Sequence, residues 1–295
     1  MAQFPTDADC KRFLQERRWP KGKVACPRCQ NTKVYGSKAR PFTWQCKACP
    51  DTKKGVAYRF SVLVGTVFEN TNYPLKTWFE VLWTMLNSKK GVSAMQIQRQ
   101  IGCHYRTAWY MCMRLRAGMH DDAFRKLVGI VEMDETYIGG KGKNRHRKTQ
   151  LEFREKNKRH PFRGKVGVIG AISRKGNVTA QVIERMDSRV AQRFVNETVG
   201  SAVDLVATDE ASAYQNMYWN PLQRHESVNH SQGEYVRGEV HTANLDAFWS
   251  LLKRGIIGSY HHVSKKYLPL YINEFSFRHN NRKNPDMFTA AIAAC

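Results

Sequence analysis

The chain has 295 residues and carries 48 Lys and Arg against 25 Asp and Glu, a formal charge of +23 with a pI near 9.9. A hydrophobic content of 42% is enough for a core and excludes wholesale disorder. A positive surplus of this size opposes compaction unless a polyanion relieves it, and nucleic acid is the usual one. An anionic membrane surface is the competing partner, but no long basic amphipathic helix stands out. The opening residues Met1 to Pro5 lack a basic segment followed by an apolar core, and the longest apolar stretch, Val166 to Ile172, falls far short of a membrane span. The expected location is therefore the cytoplasm.

Residues 1 to about 70 hold two CxxC pairs and several short β-like runs, and form the first expected domain. Cys26-Pro-Arg-Cys29 and Cys46-Lys-Ala-Cys49 are sixteen residues apart. Two thiolates at i and i+3 on a tight knuckle face one ion, and a second knuckle completes a tetrahedral site of four sulfurs with no open position. That set suits one structural zinc, whose binding supplies much of the folding energy of so small a unit. A redox CxxC needs only one such pair. With Phe42, Trp44, Tyr58 and Phe60 nearby, and Arg59 to Phe68 reading as further strand, the segment looks like a zinc ribbon. Cys10, Cys103, Cys112 and Cys295 lack the spacing and read as ordinary thiols.

Residues 73 to 120 are helical in pattern and form the second expected domain. Ser93 caps a helix through Met95, Ile97 and Ile101, Gly102 supplies a turn, and a second helix follows from about His104 to Arg116. Length and turn fit a helix-turn-helix whose second helix exposes Arg106, Arg114 and Arg116 to DNA and buries Trp109 and Met113 or their neighbours. A plain helical hairpin with a solvated basic face is the alternative.

Residues 125 to 295 alternate strand and helix signals, as an α/β domain should. Val128 to Asp134 is a short β-run ending in an acid. A loop from Gly139 to Lys165 carries eleven Lys or Arg, among them Lys141, Lys143, Arg145 and Arg147, which suit backbone phosphates. Val166–Ile172 and Val178–Ile183 flank a hairpin turn. Asp187 or Ser188 caps a helix through Val190, Phe194 and Val199, closed by Gly200. Val203 to Asp209 is a second apolar strand with an Asp at its C-terminal end, where ligands of open α/β sheets collect. From about His241 a helix presents Leu245, Phe248, Trp249, Leu252 and Ile256 as a buried stripe. At about 100° per residue, Asp246, Ser250 and Lys253 share an adjoining face. Asp246 can complete a metal site begun by Asp134 and Asp209, with Lys253 on a phosphate. Asn244 lies on the opposite flank and reads as a helix cap. A hard cation such as Mg2+ takes one or two carboxylates plus phosphate oxygens, and acids at strand end, strand end and helix match the ribonuclease H-like arrangement for two-metal phosphoryl transfer.

Several stretches carry a specific resemblance: Met133-Asp-Glu-Thr-Tyr-Ile-Gly-Gly140, His241 through Gly255, Tyr260-His-His-Val-Ser264 and Glu274-Phe-Ser-Phe-Arg-His-Asn280. Together with the N-terminal ribbon they resemble the Merlin-related DDE transposases of bacterial insertion sequences across nearly the whole chain. The resemblance implies a ribonuclease H-like catalytic domain over 125–295, with Asp134, Asp209 and Asp246 holding two Mg2+ (Mn2+ is an alternative). It also implies cleavage and strand transfer at inverted-repeat ends, double-stranded DNA as partner, at least a homo-dimer on that DNA, and association with the nucleoid. Two positions depart from the family pattern. Its Asn is Ala243 here, and its Glu is shortened to Asp246, while Asn244 is an alternative third ligand and His241 a neighbour of the metals. A DNA-binding regulator derived from an inactive transposase, or a nuclease that cuts without joining, are the competing functions.

Overall fold

The computed structural model describes residues 3–50, 56–120, 126–140, 151–152, 155, 164–174, 176–219 and 224–295. They fall into two units, Met1–His120 together with Asn284–Cys295, and Asp121–Lys283. No helix among the described residues is long and apolar enough to cross a membrane.

In the first unit a helix, α1 (Asp7–Arg18), precedes the ribbon where the sequence suggested only strand-like runs. Its start is a capping box: Thr6 accepts from the Asp9 amide, and the Asp9 carboxylate accepts from the Thr6 amide. Three antiparallel strands follow, β1 (Val34–Gly36), β2 (Thr43–Pro50) and β3 (Ala57–Ser61). Trp44 and Phe60 stack across β2 and β3 at 5.9 Å, the cross-strand aromatic pairing that holds a small sheet together. The strand expected to reach Phe68 ends at Ser61. Successive turns, Val64 N–H to the Ser61 carbonyl and Thr66 N–H to the Leu63 carbonyl, carry the chain away around Gly65 at φ +77°. This brings the buried Phe68 edge-on to Trp78.

The helices α2 (Leu75–Asn87), α3 (Ala94–Ile101) and α4 (Tyr105–Gly118) follow in the same unit. Ser93 caps α3 by accepting from the Gln96 amide, and Gly102 closes it in the left-handed conformation at φ 67°. Both follow from local chemistry: an oxygen for an orphan amide, and a residue without Cβ where φ must be positive. The C-terminal helix α9 (Met287–Ala294) belongs to this unit, with Phe288 packed on Phe79 and Phe4.

The second unit is built on a five-stranded sheet. Its strands are β4 (Leu127–Ile138), β5 (Val166–Ser173), β6 (Val178–Ile183), β7 (Val199–Asp209) and β8 (Arg224–Val228), in the order β6-β5-β4-β7-β8. The first three form an antiparallel meander, and β7 and β8 add in parallel. Parallel addition needs a crossover, supplied by α5 (Ser188–Thr198), which Asp187 caps through the Val190 amide. α5 stops at Thr198, so Val199 and Gly200 open β7 instead of closing the helix. A Cβ on Gly200 would lie 2.9 Å from the Leu127 carbonyl, so this glycine serves the close approach of β4.

Alternation along the strands divides two apolar layers. Val131, Met133, Ile169 and Ala171 face α5 and the short α6 (Ser212–Gln215). Val168 and Ile172 face α7 (Ala243–Arg254) and α8 (Leu268–Asn280), and meet the stripe Leu245, Phe248, Trp249, Leu252 and Ile256. At the end of α8, Asn280 accepts from the Val178 amide at 2.8 Å and donates to its carbonyl at 3.1 Å, pinning the helix to the start of β6.

Candidate active site and metal centre

The apolar pattern ends its strand at Asp134, but β4 runs on to Ile138 because β5 pairs with it as far as Ile138↔Val166. What stops short is the other edge: the last parallel pair with β7 is Glu132↔Ala207. Continuing that register by two residues sets Asp134 beside Asp209, the last residue of β7. Two carboxylates thus meet where the sheet opens between its two central strands. Asp209 is steadied by the Ala211 amide at 3.0 Å.

The third acid brought to this point is Glu135. Oxygens of Asp134, Glu135 and Asp209 lie within 4.8 Å of one another. Glu135 is anchored by the Tyr214 hydroxyl, which donates to it at 3.0 Å, and by the Tyr137 hydroxyl at 3.4 Å. Adjacent strand residues normally point to opposite faces, so sequence alternation assigns Glu135 away from Asp134. The missing β7 neighbour at this level lets both reach one space. Burial, then the charges of Glu135, Asp209 and Asp246, pushes the Asp134 carboxyl up to about 8. Burial and Asp209 raise Glu135 as well. Crowded acids in a half-dry site bind a proton or a cation. Three hard carboxylate oxygens gathered in one space are the donor type that magnesium takes.

Asp246 is exposed in the first turn of α7, accepts from the Thr242 hydroxyl at 3.3 Å, and lies outside the group of three. Its charge acts on Asp134 from one helical turn before Trp249. Ser250 and Lys253 are exposed on α7 with it. Trp249 itself donates its indole N–H to Asp134 Oδ2 at 3.0 Å.

Asn244 is not the cap of α7; Thr242 occupies that position. The capping group comes from β4. Glu132, fully buried, accepts from the amides of Asn244 at 2.9 Å and Leu245 at 3.2 Å, from Asn244 Nδ2 at 2.7 Å and from Arg174 Nε at 2.9 Å. His241 Nδ1 lies 3.3 Å from the same carboxylate. An anion at a helix start is favoured by the free amides and the dipole, so Asn244 serves this anchor, with His241 beside it. Sequence reasoning misses Glu132, although an acid inside an apolar strand is itself a signal that a buried partner exists.

In the ribbon, Cys26, Cys29 and Cys49 sulfurs lie within 4.8 Å of one another, and Cys46 Sγ is 3.6 Å from Cys29 Sγ. Sulfurs of a tetrahedral zinc site stand about 3.8 Å apart, so the donor set fits. Gln30 turns the first knuckle at φ 58°, and the Asn31 backbone amide pulls the Cys29 thiol below its usual range.

Of the arginines expected on the outer face of α4, Arg106 alone is exposed. Arg116 is buried, at 2% exposure. Arg114 is half-buried and donates to the Glu69 carbonyl at 2.8 Å, tying α4 to the turns after β3. It also reaches the Thr66 carbonyl at 3.4 Å, 48 residues away along the chain, a partner the sequence could not place near it. Lys141, Lys143, Arg145 and Arg147 lie outside the described residues.

Residues 126–280 match the ISXO2-like transposase domain, and residues 5–52 match the transposase zinc-ribbon domain. Over 290 residues, 96% of this chain and 94% of the relative, the protein is 28% identical to one described as an uncharacterized protein in transposable element ISH50 of Halobacterium salinarum. The transposase-domain match alone spans more than half of the sequence, and the chain belongs to the ISXO2-like transposase family.

Proposed function

We propose that this transposase cleaves the inverted-repeat ends of an insertion sequence and joins them to target DNA by Mg2+-dependent phosphoryl transfer. The observation that carries the reading is the carboxylate cluster on the paired central strands, within reach of the charge of Asp246. The strand order, an antiparallel meander extended by two parallel strands, supports a ribonuclease H-like catalytic unit. Asp134 and Asp209 would hold the cation, with Asp246 approaching from α7 once DNA is bound. When bound, such ions stabilise the entering and leaving oxygens of an in-line displacement. Glu135 adds negative charge that Tyr214 and Tyr137 keep in place. Lys253, exposed two turns beyond Asp246, is positioned for a phosphate of the same strand.

The ribbon, with one structural zinc on Cys26, Cys29, Cys46 and Cys49, and the α3–α4 pair with Arg106 would recognise the ends. Pairing two ends requires at least two copies on the DNA. Incubating the purified chain with labelled end DNA, target plasmid and Mg2+ tests the reading. Cleaved and joined products are expected, both lost in Asp134→Asn and Asp209→Asn with end binding retained. Binding without either product would establish a regulator, and cleavage without joining a nuclease.

A further inference from the structure

Two observations around Asp134 are independent of its acidic neighbours. First, an indole N–H is a donor only, and Trp249 directs it at Asp134 Oδ2 at 3.0 Å from a side chain that is 2% exposed. Such a ring has little freedom: it packs on Phe248 at 5.3 Å within the layer under α7. Second, the residue paired with Asp134 across β4 and β5 is Gly170. A Cβ there would lie 2.6 Å from both Cζ2 and Cη2 of Trp249. Glycine weakens a strand interior, and its presence marks a place where another group comes close. Here the approaching group is the ring that touches the first acid of the site.

We propose that Trp249 is a positioning residue for cation binding, its indole setting the plane of the Asp134 carboxylate, and that Gly170 is the cradle admitting the ring. A carboxylate free to rotate about its last bond samples many orientations, of which few suit a small octahedral ion. Tying Oδ2 to a rigid donor removes that freedom before the cation arrives. Hydrogen bonds behind metal ligands act in this way, and losing one typically weakens metal affinity by about 10- to 100-fold. The inference rests on the reading of Asp134 as a metal ligand.

The test counts free Mn2+ by electron paramagnetic resonance during titration of the full chain, its Trp249→Phe and Gly170→Ala variants, and Asp134→Asn. Thermal melts verify folding. The wild type is expected to bind Mn2+ at a site that Asp134→Asn removes. Trp249→Phe, which keeps a ring but no N–H, and Gly170→Ala, which keeps the N–H but displaces the ring, should each bind about tenfold more weakly. In cleavage assays the Mg2+ concentration for half-maximal rate should rise by the same factor, while kcat at saturating Mg2+ stays nearly unchanged; a purely structural role would not split the two. In the wild type, one of the seven indole N–H resonances should shift on adding Mg2+, which needs no folded variant. Mn2+ binding that Asp134→Asn abolishes but both other variants retain at full strength would overturn the proposal and leave the active-site reading standing. No Asp134-dependent Mn2+ binding in the wild type would overturn both.

Discussion

Replacing Glu132 by Gln should loosen α7 and with it the geometry of the site. The carboxylate is fully buried and accepts from two backbone amides, the Asn244 side chain and Arg174. An amide keeps one acceptor and turns a donor toward groups that are all donors. Breaking a buried ion pair typically costs about 3–5 kcal/mol. Arg174 keeps 20% of its side chain exposed, so part of its charge is recovered by water and the lower end, about 3 kcal/mol, applies. For a unit of this size each kcal/mol moves the melting temperature by about 2–4 °C, giving a fall of roughly 6–12 °C. Differential scanning calorimetry of the full chain, with urea unfolding followed by tryptophan emission, measures it. The transition of the second unit should move and that of the first should not. Cleavage should weaken too, because α7 carries Trp249 and Asp246. A fall under about 2 °C, or a shift confined to the first unit, would refute the anchoring role.

Metal analysis of protein prepared without chelators should find one zinc per chain, and Cys26→Ser or Cys49→Ser should remove it together with end-specific DNA binding. Asp246→Ala should abolish Mg2+-dependent cleavage while binding persists, and Asp246→Glu should raise the rate by lengthening the reach; an active Asp246→Ala on end DNA would remove this residue from the site. Asn244→Ala should cost about 1–3 kcal/mol of stability through its lost bond to Glu132, read by urea denaturation. Replacing Lys141, Lys143, Arg145 and Arg147 with Gln should flatten log affinity against log salt by about 0.9 for each phosphate no longer neutralised, and an unchanged slope would show these residues do not touch phosphate. Burial holds His225 down to about 4, and burial with Arg282 does the same to His279. Between pH 6.5 and 4 the unfolded chain takes up protons that the folded chain refuses. These two imidazoles therefore contribute stability that is constant above that window and lost as pH drops through it, while the raised Asp134 carboxyl contributes the opposite slope between about 4 and 8. His225→Gln combined with His279→Gln should reduce the acid loss in unfolding curves compared with the wild type.

Features written in adjacent residues were legible in the sequence. The CxxC spacing brings thiols together because a knuckle is a four-residue structure. Ser93, Gly102 and Asp187 mark helix ends because caps act within one turn. The stripe from Leu245 to Ile256 reads as one buried face because helical phase is local. Asp209 ends its strand as its pattern implied. The tertiary structure decided everything that depends on what lies across the sheet. Glu132 is 112 residues from Asn244, and Trp249 is 115 from Asp134. No local signal says that a buried acid caps a distant helix or that an indole steadies an acidic ligand. Glu135 joins the cluster where pairing with β7 lapses at its level, Arg114 turns to the Glu69 carbonyl 45 residues away, and Arg116 is buried. A residue's propensity belongs to its neighbours in sequence; its partner is set by register and docking, which only the assembled sheet defines.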